Sequence, residues 1–387
     1  MAAFVNSIGS LALGPFLPLV AVELGENVAL VGQVTALTVL LAGLLGLVAG
    51  PLADRFGYGA TLIVGLLAVA LSGIGTGLAT GFAPLLAAAL VGAIGRAVVV
   101  PTGQAVAATY FTSEAEQRRA ISWIGTGTNC APLLGVPLLT AVAGLADWRA
   151  AFFLVGALAL ATVPLLRQVP IAATVRSASS PRLATILTAY APLVRHRPTL
   201  ALVGQVFLGS VGTWATFTYL GAYLAQQHGF GAREVGVGYL VVGVGTVLGA
   251  KSVGTRLGSR PRLLLLASRV AGSALLGAAL ILPLPALAAV ALLALGALVH
   301  TANSVAAGSL LAGESPTGRA TTLTFNNAAM SLGVAAGGAI GGAALAVGGY
   351  RAVGFVSLAW LLAATCLIWW ADSRASLPMP PPAAAAQ

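Results

Sequence analysis

Between Ala2 and Trp370 the chain is a succession of apolar runs, each about twenty residues or longer, separated by short polar intervals. A run of about 20 residues is what an α-helix needs to cross the hydrocarbon core of a bilayer. Helices that satisfy their own backbone groups are the form in which separate segments do so. The runs fall near 2–24, 29–52, 61–80, 83–110, 120–144 and 148–167, then near 199–224, 234–255, 262–283, 286–311, 320–347 and 350–371. These twelve runs are numbered as spans 1 to 12, and they predict an all-α membrane protein. Composition agrees: charged residues are 7% of the chain, against roughly 25% in soluble domains. A charged surface for a water-soluble globule is missing, which excludes a soluble enzyme, a disordered chain and a nucleic-acid binder. The net charge of +10 is carried by basic residues scattered singly between apolar runs rather than gathered in a patch. Cys130 and Cys366 both lie inside apolar stretches, so neither a disulfide framework nor a metal site is readable.

The first run reads as a span and not as a cleaved signal peptide, since it lacks a basic leader and contains Asn6, Pro15 and Pro18. With the N-terminus inside, fifteen basic residues fall on the cytoplasmic side, Arg269 among them, and three on the outer side: Arg149, Arg233 and Arg351. Arg96 alone stays within the bilayer. The positive-inside rule therefore places both termini in the cytoplasm, with the inner membrane of a bacterium as the expected location.

The longest polar interval, 168–198, divides the chain into an N-terminal six-helix bundle (1–167) and a C-terminal one (199–371). Within this linker Leu183, Ile186, Leu187, Tyr190 and Leu193 recur at helical spacing, which suggests a short helix on the inner leaflet, with a disordered basic linker as the alternative. Residues 372–387, with their proline run, read as a disordered cytoplasmic tail. The halves echo each other. Ala53-Asp54-Arg55-Phe56-Gly57 returns as Gly254-Thr255-Arg256-Leu257-Gly258, Trp148-Arg149-Ala150 as Tyr350-Arg351-Ala352, and Gly25 with Val31-Gly32 as Gly229 with Val235-Gly236. The offsets of 201, 202 and 204 nearly coincide, each at the corresponding loop. Six is even, so the halves are parallel pseudo-repeats, and a site between such halves near the midplane is the arrangement of secondary transporters.

After span 2 the chain reads Gly50-Pro51-Leu52-Ala53-Asp54-Arg55-Phe56-Gly57. This resembles the G-x-L-x-D-R-x-G signature between spans 2 and 3 of the major facilitator superfamily, with Tyr58 and Gly59 where a basic pair is expected. In span 5, Gly127, Ala131, Pro132, Gly135 and Val136 are similar to the G-x-x-x-G-P-x-x-G-G signature of its antiporter branch, two glycines being replaced. The Asp147-Trp148-Arg149 junction and the Gly-rich span 11 are similar to the family's as well. The resemblance covers essentially the whole chain and points to the twelve-span drug:proton antiporter branch. It implies a gate in which Asp54 caps span 11 near Ala320-Thr321-Thr322, with Arg55, Arg118 or Arg256 and the turn glycines Gly50 and Gly57 around it. It also implies that span 5, bent at Pro132, seals against the other half.

Buried polar residues are the candidate substrate contacts. Arg96 lies near mid-bilayer, where an arginine costs about 2.5–3.5 kcal/mol on insertion scales and so belongs at a cavity; a structural ion pair is the bland alternative. His300, at similar depth in span 10, is the mid-membrane side chain that titrates near neutrality by type, although hydrogen-bonded packing is the commoner use of a lone histidine. Asn303, Asn6, Gln104, Asn129, Gln205, Trp214, Thr216, Tyr219, Asn326 and Asn327 complete the set. None of the nine acidic residues lies at mid-bilayer, so a cationic solute lacks a counter-charge and a neutral or anionic one fits better. The expected activity is proton-coupled efflux of such a solute by alternating access, without a cofactor other than the proton gradient. The expected partners are that solute and the lipid bilayer, with no nucleic acid and the chain as a monomer. Uptake by symport or uniport, a membrane-embedded lipid-modifying enzyme and a non-transporting sensor are the alternatives; no Asp-rich, His-rich or Cys/His constellation supports the enzyme, and no phosphate-binding loop supports direct ATP coupling.

Overall fold

A computed structural model describes residues 1–111, 113–168, 191–256, 261–313 and 319–375. Among them every regular element is a helix. Eleven helices are long and apolar enough to cross a membrane, and the last of these, Thr321–Trp369, has 49 residues. At 1.5 Å per residue that is about 73 Å, more than twice a hydrocarbon core. It is two crossings, because the backbone leaves the helix at Gly348 (φ −141°, ψ 19°) and Gly349 (φ 65°, ψ −162°). The described residues thus form twelve spans. Spans 1–6 are Ala2–Glu23, Val28–Phe56, Tyr58–Gly77, Phe82–Tyr110, 114–145 and Trp148–Arg167; spans 7–10 are Arg197–His228, Ala232–Arg256, Pro261–Ile281 and Ala286–Gly313. Spans 11 and 12 share Arg319–Ala375. Most of the linker stretch 183–193 and the tail from 376 lie outside the described residues; Ala191–Arg195 forms a short helix with Leu193 fully buried.

Local chemistry ends these helices where polar intervals begin. The Asn27 side chain accepts from the Leu30 N–H at 2.7 Å and Asp147 from the Ala150 N–H at 3.0 Å, which caps spans 2 and 6. Gly25 and Gly229, matched across the repeat by sequence, both take φ 69° at the ends of spans 1 and 7, where a side chain would be strained. The same two spans break midway. Span 1 changes direction at Phe16 (φ −103°, ψ 2°) and span 7 at Tyr219 (φ −104°, ψ 11°). Near-identical dihedrals at an offset of 203 show the two halves to be parallel pseudo-repeats built the same way.

The breaks meet where the two halves touch. Gly221 lies so close to Gly14 and Pro15 that an added Cβ would sit 2.6 Å from the Pro15 Cα. At the end away from the termini the halves are locked: Gln33 Nε2 donates to the Ala339 carbonyl at 3.0 Å, and the Tyr219 hydroxyl donates to Gly338 at 3.0 Å and lies 3.4 Å from the Ala29 carbonyl. Gly32 and Gly342 leave the space that Tyr219 fills. One apolar cluster, holding Phe16, Leu17, Tyr219, Leu220 and Trp148, binds both halves together here. Toward the termini the cores separate, one around Leu62, Leu66 and Val99 and another around Leu202, Leu265 and Leu311. Along span 2 the approach loosens accordingly: a Cβ on Gly43 would meet Ser331 at 3.6 Å, and one on Gly46 would meet nothing within 4 Å. The halves are closed at the far end and splayed toward the termini.

Candidate functional site

Between the halves lies a chamber of about 400 Å³, within the range that holds a drug-sized solute. Its walls come from spans 1, 2, 4 and 5 of one half and 7, 8, 10 and 11 of the other; spans 3, 6, 9 and 12 contribute none. Most of the lining is apolar or aromatic, with Trp214, Phe217 and Tyr239 from the C-terminal half. Trp214 and Phe217 stand edge to face, 6.5 Å between centroids, giving a solute a rigid aromatic corner.

The basic side chains in this wall are Arg96 and His300, on equivalent spans of the two halves. The Arg96 guanidinium donates to the Ser10 carbonyl, a group left over where span 1 approaches its break. The His300 ring nitrogen Nδ1 pairs with the Thr213 hydroxyl at 3.0 Å, and the Ser304 hydroxyl donates to the His300 carbonyl at 3.0 Å. Thr128, Asn129, Thr246, Thr301 and Ser304 add polar points of contact. Among the described residues no carboxylate lines the chamber. Among the described residues no group of three or more His, Cys, Asp or Glu is placed to hold a metal.

The remaining candidate residues go elsewhere, for reasons of helical geometry. Trp214 and Thr216 are two apart, on opposite faces, so Trp214 faces the chamber while Thr216 is buried with its hydroxyl unpaired. Tyr219 sits past the break and serves the seal between halves. Asn6 lines a smaller cavity within the N-terminal half. Asn326 is buried away from the chamber, and Gln104 and Asn327 are exposed. Gln205 and Asn303 are corrected most sharply. Both turn behind the chamber wall, where the Arg269 guanidinium donates to Gln205 Oε1 at 2.7 Å and to Asn303 Oδ1. Asn303 Nδ2 in turn donates to the Leu265 carbonyl and the Ser268 hydroxyl, each at 2.9 Å.

Arg269 is the residue that the charge tally misplaced. Assigned to the cytoplasmic side, it is 3% exposed and packed against Gly209, where any side chain would collide with the guanidinium. The signal was present: Arg269 lies behind the apolar run Leu263–Leu266, about 9 Å along the helix from Leu263. The tally remains strongly asymmetric without it.

The motif residues are placed as follows. Gly57 ends span 2 with φ 90°, ψ 143°, and span 3 starts at the next residue. Gly50 falls within span 2, and Arg55 is exposed with its guanidinium 5.5 Å from the Phe56 ring centre. The side chains of Asp54, Arg118 and Arg256 lie outside the described residues, and with them the latch. Span 5 carries a turn of wider, π-type helix at Ala131–Gly135, with Pro132 as its second residue. Gly127 faces Ala3 and Phe4 of span 1, Gly135 faces Ile8, and Leu133 presses on Gly243 of span 8, so the bent stretch touches the other half. Pro132 itself lines the chamber.

At the far end Arg149 pairs with Glu23 at 2.6 Å and donates to the Gly77 and Ala79 carbonyls at 2.8 Å, while Trp148 donates to the same carboxylate. This ties spans 1, 3 and 6 into one body. Tyr350, the repeat partner of Trp148, donates instead to Gln226 Oε1 at 2.7 Å, tying span 12 to span 7.

Comparison with known proteins agrees with this architecture. The sequence profile of the Major Facilitator Superfamily matches residues 1–325. An uncharacterized MFS-type transporter of Bacillus subtilis (strain 168), YceJ, is 24% identical over 275 residues, 71% of this chain and 69% of that protein. A chloramphenicol resistance protein of Streptomyces lividans is 29% identical over 272 residues, 68% of this chain and 66% of that protein. Among solved structures, a bacterial homolog of the human lysosomal transporter Spinster, inward-facing and occupied, superposes with a TM-score of 0.72 at 18% identity, covering 96% of this chain and 95% of that one. The nucleoside transporter NupG gives 0.74 at 14% identity, covering 96% and 98%. Twelve spans in two like-oriented halves around a central chamber, matched by the family profile over most of its length, make this chain a member of the major facilitator superfamily.

Proposed function

We propose that this transporter exports a small, neutral or anionic, largely apolar solute by alternating access, driven by protons moving inward, from a bacterial plasma membrane with both termini cytoplasmic. The observation that carries the reading is the chamber's charge: among the described residues Arg96 and His300 face it and no carboxylate does. A cation would enter a site with nothing to balance it and a guanidinium to repel it, whereas an uncharged or anionic solute finds a donor in Arg96 and an aromatic corner at Trp214 and Phe217. The direction is supported by the chloramphenicol resistance protein of Streptomyces lividans, since resistance by a transporter of this kind means removal. Chloramphenicol is itself an uncharged aromatic amide. His300 is the chamber residue of a type that exchanges protons near neutral pH, and its bond to Thr213 holds the ring in one orientation.

The test is transport by the full chain in proteoliposomes under an imposed pH gradient, with neutral, anionic and cationic aromatic solutes compared. Efflux-direction transport of the neutral or anionic solutes, with matching proton movement, is the expected result. Arg96→Ala should abolish it while leaving a folded, monodisperse protein. Preferred transport of the cations, or full activity in Arg96→Ala, would remove Arg96 from the site.

A further inference from the structure

Arg269 is a buried cation that takes no part in lining the chamber. It belongs to span 9, yet its side chain is 3% exposed and reaches the seam between spans 7 and 10. A guanidinium stays protonated inside a protein, so the charge there is a full unit. On span 7, Gln205, Gly209 and Thr213 follow at intervals of four and share one face; on span 10, His300 and Asn303 are three apart and do the same. Arg269 fills one stretch of this seam, against Gly209, Gln205 Oε1 and Asn303 Oδ1. The Thr213–His300 pair fills the next, one turn or about 5 Å further on. His300 lines the chamber, and the Arg269 charge is close enough to act on it. A solute in the chamber is then separated from that charge by one helix thickness, about 10–12 Å.

Nothing described cancels this charge. Both side-chain oxygens that accept from the guanidinium belong to neutral amides. Among the described residues neither Arg269 nor Arg96 forms an ion pair. The buried Arg269 Nε and Gln205 Nε2 donors also lack hydrogen-bond partners. A glutamate at position 205 would have the shape of the glutamine, accept from the guanidinium in the same place and remove the orphaned Nε2. A brace between spans 7, 9 and 10 would therefore be served better by a carboxylate. The amides hold the guanidinium in position and leave its field intact, and low-dielectric walls direct that field into the chamber.

We propose that Arg269 is a specificity-determining residue that never touches the solute: its uncancelled charge makes the chamber positive from the C-terminal half, as Arg96 does from the N-terminal half, and selects an aromatic monoanion over a cation of the same shape. The inference rests on the chamber being the solute site, and it narrows the solute class proposed above to singly charged acids such as arylcarboxylates.

The experiment uses the purified full chain in detergent at pH 8 and three probes of one shape: 2-naphthoate (anion), 2-naphthamide (neutral) and 2-naphthamidine (cation). Dissociation constants are measured by isothermal titration calorimetry in the unaltered chain, in Gln205→Glu, which cancels the charge in place, and in Arg269→Gln, which removes it. At an effective dielectric of about 20, a unit charge about 11 Å away changes a Kd about ten-fold. Each variant should therefore weaken naphthoate binding about ten-fold, strengthen naphthamidine binding about ten-fold and leave naphthamide unchanged. A purely structural role for Arg269 predicts no change of the anion-to-cation ratio in Gln205→Glu, whose contacts are kept. An unmoved ratio in folded Gln205→Glu would overturn the proposal, whether or not Arg269→Gln folds. Preference of the unaltered chain for naphthamidine would sink the solute class of the export reading and this inference with it. Preference for naphthoate with an unmoved ratio in the variant would sink this inference alone.

Discussion

At Gly221 the backbones of the two halves come into direct contact, and this predicts how the conformational equilibrium responds to a single methyl group. In Gly221→Ala the new Cβ would lie 2.6 Å from the Pro15 Cα and also against the Gly14 carbonyl. Carbon atoms rest at about 3.5–4.0 Å, so the overlap is about 1 Å, and it is with backbone that cannot rotate aside. Overpacking of this kind costs about 1–3 kcal/mol. The cost exists only while the two broken spans touch, as they do in this state, and vanishes in a conformer whose halves part at that end. The ratio of that conformer to the present one should therefore rise about 5- to 150-fold. Spin labels at Val22→Cys and Val347→Cys, both highly exposed at the closed end, in a Cys130→Ala/Cys366→Ala background, report the separation directly. A second, longer distance should appear or grow in Gly221→Ala. Gly144→Ala, where an added Cβ meets nothing within 4 Å, should leave the distribution unchanged. An unaltered distance distribution in a well-folded Gly221→Ala protein would refute the reasoning, as would loss of folding without redistribution.

Two further changes test the energetics of individual sites. Gln205→Leu deprives the buried Arg269 guanidinium of its 2.7 Å partner and should lower stability by about 1.5–3 kcal/mol in reversible denaturation; an unchanged midpoint would mean that the Gln205 contact contributes nothing to holding Arg269. Gly57→Ala meets no atom within 4 Å, so its cost is purely that of φ 90°, about 1–3 kcal/mol, and equal stability would show that the turn relaxes to another conformation.

The repeat was legible because duplicated backbone geometry left duplicated residues. Gly25 and Gly229 share φ 69°, and a residue tolerating that angle is nearly always glycine, so the match survives where apolar positions have drifted. Arg96 and His300 were legible because an ionisable side chain deep in an apolar run must find a polar environment, and the chamber supplies one. Gln205, Asn303 and Thr216 were misjudged as chamber contacts for the opposite reason. A polar residue in a span satisfies itself equally well on a neighbouring helix, and which neighbour it finds depends on how the spans rotate against one another. Arg269 shows the same limit from the other side: charge counting sees a basic residue near a loop, while packing against Gly209 draws it into the bundle.

Sequence alone determined that the chain crosses a bilayer twelve times in two like-oriented halves, because apolar length, capping residues and glycine angles are local requirements that each segment meets by itself. Tertiary structure alone decided which polar side chains share the chamber, which are spent holding Arg269, and at which end the halves touch. Those outcomes depend on the rotation and spacing of helices far apart in the chain, where a difference of two residues along a span turns a side chain from the solute to the wall behind it.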